Sequence, residues 1–476
     1  MQEYKYDVNS MKAEEFINDD EINDTLKYAQ ENKTNRYLIK SIIEKARECK
    51  GLTHREAAVL LDCELEDLNQ ELYNLAREIK QRIYGKRIVM FAPLYLSNYC
   101  VNGCVYCPYH AKNKHICRKK LTQEQVKAET IALQDMGHKR LALEAGEDPV
   151  NNPLEYILEC IDTIYGINHK NGAIRRVNVN IAATTVENYK RLKDAGIGTY
   201  ILFQETYNKE NYLSLHPTGP KHDYAYHTEA MDRAMQGGID DVGCGVLFGL
   251  NLYRYDLVGL LMHAEHLEAA FGVGPHTISV PRICPADDID VDDFSNAVSD
   301  DIFEKIVAVI RIAVPYTGMI ISTRESQESR RRALELGISQ ISGASSTSVG
   351  GYVEPESEEN NTAQFDRSDT RTLDEVLNWL LELGYIPSFC TACYRQGRTG
   401  DRFMPLAKSG AIQNCCQPNA LITLKEYLED YASEDTKRKG EAVIENELKN
   451  IPNEKVRNTT TEYLKKIEQG ERDFRF

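Results

Sequence analysis

No apolar run in these 476 residues approaches the length of a membrane span, and the opening Met1-Gln-Glu-Tyr-Lys-Tyr6 has no secretory apolar stretch. A soluble, cytoplasmic protein is expected, with no membrane partner. Basic residues are in the minority. The 57 Lys and Arg stand against 73 Asp and Glu, a net charge of −16, which argues against a broad nucleic-acid-binding face. Internal repeats and low-complexity segments are absent. Disulfides also lack a setting: there are thirteen cysteines, but without a sign of secretion they read as thiols in a reducing compartment. Apolar residues make up 42% of the chain, enough for a substantial core.

Six of the thirteen cysteines fall into two sets. Cys100, Cys104 and Cys107 are spaced C-x3-C-x2-C, with Tyr106 immediately before the last, and they follow a strand-like run from Arg87 to Leu96. Three thiolates can hold three irons of a cubane cluster and leave the fourth iron open, and an open position marks a reactive metal site. A Cys3His zinc site with His110 or His115 is the rival reading of the spacing. The second set is the C-x2-C pair Cys390 and Cys393, followed by Cys416. Again there are three thiolates unless the adjacent Cys415 joins. A zinc ribbon would normally bring a second C-x2-C pair, which this chain lacks.

Residues 1–86 read as a helical extension, with apolar positions such as Leu38, Ile42, Leu61, Leu65 and Leu68 at steps of three and four. From Ile88 short apolar runs alternate with amphipathic segments. The eight runs are Ile88–Leu96, Arg140–Ala145, Val177–Ala183, Thr199–Phe203, Val242–Phe248, Thr277–Val280, Met319–Ser322 and Gln340–Ser342. Eight such units over residues 87–384 predict a (β/α)8 barrel, with a doubly wound open sheet as runner-up. The first cysteine loop would then sit on the C-terminal face of the barrel. Residues 385–476, loop-rich as far as Asn419, are expected to form an appendage over one mouth. Arg330, Arg331 and Arg332 read as one exposed helix face.

The first cysteine loop resembles that of the radical S-adenosylmethionine (SAM) enzymes, in which the open iron takes the amino and carboxylate groups of SAM. That resemblance implies SAM and a [4Fe-4S] cluster as cofactors. It implies that Tyr106 lies against the adenine, that the turn Ala145-Gly146-Glu147 meets the amino end of SAM, and that Glu205 accepts from its ribose or amine. A SAM-carboxylate arginine is expected after the fourth strand. His227 occupies the usual position, so Arg233 is favoured. Arg324 and Ser322, at the end of the seventh strand, are candidates to bind a substrate carboxylate.

Taken with the C-terminal set, these motifs resemble the tyrosine-cleaving maturases of [FeFe]-hydrogenase within the same superfamily. The resemblance implies a lyase that breaks the Cα–Cβ bond of L-tyrosine through a 5′-deoxyadenosyl radical. The products would be p-cresol and dehydroglycine, the latter converted to CO and cyanide for the hydrogenase active site. Conversion would occur at a second cluster on Cys390, Cys393 and Cys416 carrying an additional iron, with His276 as that iron's protein ligand. Implied partners are an acidic electron donor of flavodoxin or ferredoxin type and other hydrogenase maturation proteins. Lys112, Lys114, Arg118, Lys119 and Lys120 could form the donor's docking patch. The thiazole-forming tyrosine lyase of thiamine synthesis shares the barrel motifs, and a non-catalytic iron–sulfur or zinc scaffold is the alternative from another class.

Overall fold

The computed structural model describes residues 5–354 and 361–476. Five helices, Ala13–Phe16, Asp19–Asn32, Arg36–Ala46, His54–Asp62 and Glu66–Ile83, form the N-terminal extension. Helix 66–83 buries Leu68, Leu72, Leu75, Ile79 and Ile83, a stripe at helical spacing that packs on helices Asp300–Ala313 and Gln327–Leu336 of the main body. His54 ties the extension down, with its two ring nitrogens 2.8–2.9 Å from Glu265 and Glu21.

Eight parallel strands follow: β1 (Arg87–Ser97), β2 (Arg140–Ala145), β3 (Arg176–Asn180), β4 (Tyr200–Ile201), β5 (Val242–Gly245), β6 (Thr277–Ser279), β7 (Gly318–Ile321) and β8 (Gln340–Ser342). Each pairs with the next, and β8 returns to β1 with Val89 opposite Gln340, so the sheet closes into a (β/α)8 barrel. All eight expected strands are present, four of them shorter than their apolar runs.

A ninth strand, β9 (Ile386–Ser388), pairs with the first residues of β1, Arg87 to Val89. The second half of the chain's cysteine chemistry is therefore brought to the N-terminal mouth of the barrel, opposite the first cysteine loop. The stretch expected to be loop-rich is largely helical, with helices Gly400–Lys408 and Gln413–Asp430. Prolines 405 and 418 lie inside these helices and hid the first of them and the start of the second, whose residues from Ile422 onward were expected to be helical. Helix 413–430 is also buried without interruption from Pro418 to Leu428, because β9 and helices Glu434–Lys449 and Glu454–Glu468 pack around it. A helix buried on all sides carries no amphipathic stripe to read.

The arginine triplet also divides. Arg331 and Arg332 pair with Glu328 at the surface, whereas Arg330 is fully buried, pairing with Asp369 and donating to the Ser342 carbonyl at 2.6 Å.

Candidate functional site

The loop after β1 is shaped by its own polar residues. Arg118 reaches back to the carbonyls of Asn98, Tyr109 and His110 at 2.7–2.8 Å, and the Asn98 side chain binds the backbone of Cys117 and Lys119. These bonds fold the loop so that Cys100, Cys104 and Cys107 line one cavity of about 170 Å³. Arg118 is thus a structural cation, Lys119 pairs with Glu354, and Lys120 lies over the Tyr156 ring. Of the expected docking patch, Lys112 and Lys114 stay exposed.

Burial raises all three thiols, Cys104 to about 11 and Cys107 further, and neighbouring cysteines add to the rise at Cys104 and Cys107. Metal in place of the protons removes that cost. Among the described residues no three His, Cys, Asp or Glu side chains converge on one ion position. His110 is 3.1 Å from Asp288 and His115 is exposed. A single zinc would need its ligands to converge, whereas a cluster gives each thiolate its own iron.

The same cavity gathers the strand ends. Gly146 donates to the Ser97 carbonyl and Val101 to that of Glu147, which stitches the β2 turn to the cysteine loop. A methyl group on Gly146 would lie 2.4 Å from the Tyr99 carbonyl oxygen, so the turn admits only glycine. Ala145 carries its methyl without a positive φ. Glu147 accepts from Asn102 at 2.6 Å. Glu205, held at φ 69°, pairs with Lys221 at 3.0 Å. Positive φ at a non-glycine residue stores strain that often marks a functional site. The Tyr106 hydroxyl donates to His216 Nε2 at 2.7 Å, because Nδ1 of that ring donates to the Tyr212 carbonyl.

Arg233 is not among the cavity residues. Its guanidinium donates to the carbonyls of Thr184 and Tyr226 and stacks on the Tyr226 ring, contacts other than those expected of it beside SAM. His227 lines the cavity, and so does Lys221, a residue that sequence reasoning missed. Burial opposes the Lys221 charge, but Glu205 and Cys104 outweigh it and raise its pKa. Nothing in Thr218-Gly-Pro-Lys221 signals this role.

A deeper cavity of about 100 Å³ continues down the barrel and shares Tyr95, Glu144, Asn180 and Arg324 with the first. Ser322 lines it, and Arg324 is its one lysine or arginine among the described residues. The Arg324 guanidinium stacks 3.6 Å from the Phe365 ring centre and donates to Cys284 Sγ at 3.1 Å, with no carboxylate partner among the described residues. Gln340 lines this cavity and also a third one at the opposite mouth.

That third cavity, about 90 Å³, lies among the N-terminal strand ends and is lined by Cys390, Cys393, Cys416 and His276. Arg140 of β2 fastens the segment by donating to the Cys390 carbonyl at 2.8 Å. Cys393 and Cys416 share a hydrogen bond that lowers Cys416, with Arg87 and Arg398 adding to the effect, while burial raises Cys390 to about 11. Cys416 sits in the first turn of helix 413–430. His276 is held neutral by burial, with Asp241 3.5 Å from Nδ1 and the Tyr394 hydroxyl 3.4 Å from Nε2. Three thiols and a neutral imidazole fit an iron–sulfur cluster with one further iron.

A model of the radical SAM superfamily matches residues 94–257, and one of the biotin and thiamin synthesis associated domain matches residues 279–386. The 2-iminoacetate synthase of Escherichia coli (strain K12) is 29% identical over 348 residues, 72% of this chain and 89% of that protein. A crystal structure of HydG, described as a maturase of the [FeFe]-hydrogenase, has a TM-score of 0.93 at 58% identity, covering 97% of this chain and 100% of that one. HydG from Carboxydothermus hydrogenoformans gives a TM-score of 0.82 at 40% identity, covering 95% and 99%. No described helix is long and apolar enough to cross a membrane.

Proposed function

The chain belongs to the HydG family of the radical SAM superfamily, and from that premise we propose that it cleaves the Cα–Cβ bond of L-tyrosine. The products are p-cresol and dehydroglycine, the latter passing to the far mouth of the barrel for conversion to CO and cyanide in [FeFe]-hydrogenase maturation. The observation that carries this reading is the pair of cysteine-lined cavities at opposite mouths of one barrel, with a cation-bearing cavity between them.

Cys100, Cys104 and Cys107 hold the [4Fe-4S] cluster, which with SAM supplies a carbon-centred radical when bound. Tyr106, whose hydroxyl is held by His216, would face the adenine, Gly146 and Glu147 would form the turn at the amino end, and Glu205 would serve the ribose or amine. Lys221 replaces Arg233 as the cation for the SAM carboxylate. Arg324, stacked on Phe365 and free of acidic partners among the described residues, binds the tyrosine carboxylate with Ser322 beside it. Cys390, Cys393 and Cys416 hold the second cluster, and His276 is the protein ligand of its extra iron. Gln340 is common to the walls of the middle and far cavities, so a path between them would run inside the barrel and keep dehydroglycine from water.

The 2-iminoacetate synthase relatives favour a second reading, in which dehydroglycine is the released product. Anaerobic reconstitution with iron and sulfide, SAM, reductant and carbon-labelled tyrosine decides between them. Labelled CO and cyanide with p-cresol support the maturase. p-Cresol without CO moves the assignment to the synthase, and a protein that binds iron but never cleaves SAM is a scaffold.

A further inference from the structure

Among the described residues three carboxyl groups line the two upper cavities, and two of them are committed. Glu147 accepts from Asn102, and Glu205 pairs with Lys221. Glu144 is the third. It occupies an inward position near the end of β2, in register with Tyr95 of β1 and Asn180 of β3. Its hydrogen-bond partner is the neutral Asn180 amide, and no cation is paired with it. Arg324 faces the same space from the end of β7, and both residues line both cavities. An amino acid whose carboxylate rests on Arg324 carries its ammonium one carbon further, into the space that Glu144 shares.

From this juxtaposition we infer that Glu144 is the catalytic residue that receives the substrate α-ammonium, takes one proton from it and later returns that proton to the departing side-chain fragment. The inference rests on the tyrosine-lyase reading above. An ammonium has no lone pair to stabilise a nitrogen radical and holds its hydrogens more strongly than an amine, so hydrogen-atom loss that leads to the neutral imine follows loss of a proton. The proton passes from nitrogen to the Glu144 carboxylate. A hydrogen atom then passes from the neutral amine to the carbon-centred radical, giving 5′-deoxyadenosine, Cα–Cβ breaks homolytically, and the C=N bond of dehydroglycine forms. The remaining 4-hydroxybenzyl radical needs one electron and one proton to become p-cresol. The electron comes from the low-potential donor that the reaction already requires, and the proton from Glu144, which ends as it began.

The environment suits both transfers. Burial raises Glu144 to about 8, against the opposing effects of Asn180 and Arg324, which brings it into the range of an α-amino group. Proton exchange between groups of matched affinity is fast in either direction. The titratable groups that face it are Tyr95 on β1, Tyr109 on the cysteine loop and Arg324. Burial holds both phenols well above their usual range, so they stay neutral.

The test compares the wild-type, Glu144→Gln and Glu144→Asp proteins, each full length and anaerobically reconstituted. Equilibrium binding is measured for tyrosine and for 3-(4-hydroxyphenyl)propionate, which keeps the phenol and carboxylate but lacks the amine. Wild type should favour tyrosine by about tenfold or more, and Glu144→Gln should lose that preference. Formation of p-cresol should fall about 10²-fold or more in Glu144→Gln while 5′-deoxyadenosine is still released, with part recovered in Glu144→Asp. The rise of wild-type turnover through about pH 8 should disappear in Glu144→Gln. A Glu144→Gln protein that keeps both the tyrosine preference and the wild-type ratio of p-cresol to 5′-deoxyadenosine overturns the inference. A wild-type protein that makes no p-cresol overturns the lyase reading instead.

Discussion

Replacing Gly146 with alanine should disable SAM cleavage although every cysteine remains. The added methyl would lie 2.4 Å from the Tyr99 carbonyl oxygen and 3.0 Å from Cys100 Cβ, against ordinary contact beginning near 3.4 Å. Neither neighbour is the free end of a side chain. The Tyr99 carbonyl accepts from Asn152 at 2.9 Å, and the turn is bonded to the loop on both sides through Ser97 and Val101. Relief therefore moves the turn and the cysteine loop apart by about 1 Å, the scale at which misplaced reacting groups lose about 10²-fold in rate. Overpacking of this kind costs about 1–3 kcal/mol, which a chain of this size survives. The assay is 5′-deoxyadenosine formation in protein whose iron content matches wild type, with Ala145→Gly as the control that should change little. A Gly146→Ala protein that cleaves SAM at the normal rate refutes the reasoning.

The second cysteine set should separate the two halves of the chemistry. Cys390→Ala with Cys393→Ala, and separately His276→Ala, should keep SAM cleavage and p-cresol formation while CO release drops sharply, and normal CO from the double variant would make the lower metal structural. Arg324→Lys should weaken tyrosine binding by about tenfold, because lysine cannot offer the planar fork, and wild-type affinity in both Arg324→Lys and Arg324→Ala would point to another carboxylate partner. Lys221→Ala should raise the SAM concentration needed for half-maximal cleavage far more than Arg233→Ala does, and the reverse order would restore Arg233 to the site.

The barrel was legible because its signals are local. Runs such as Arg140–Ala145 and Gln340–Ser342 carry strand patterning within a few residues, and structure and expectation agree on their limits. The two cysteine sets were legible as spacings. Glu144 left a fainter trace: it shares the inward phase of β2 with Arg140 and Ala142, and two charged residues facing a barrel interior mark that strand as unusual. Helix 413–430 was legible only from Ile422 onward, since the internal proline and burial on every side erase the periodicity of its first half.

By itself the sequence determined the order of strands and helices and the residue types able to hold iron, because both depend on near neighbours along the chain. Only the tertiary structure decided that the two cysteine sets face opposite mouths of one barrel, that Arg233 is spent on carbonyls while Lys221 lies among the thiols, and that Arg324 and Glu144 share one cavity. Those facts join residues from different strands and loops, and closing the sheet through β8 and β1 is what sets their distances.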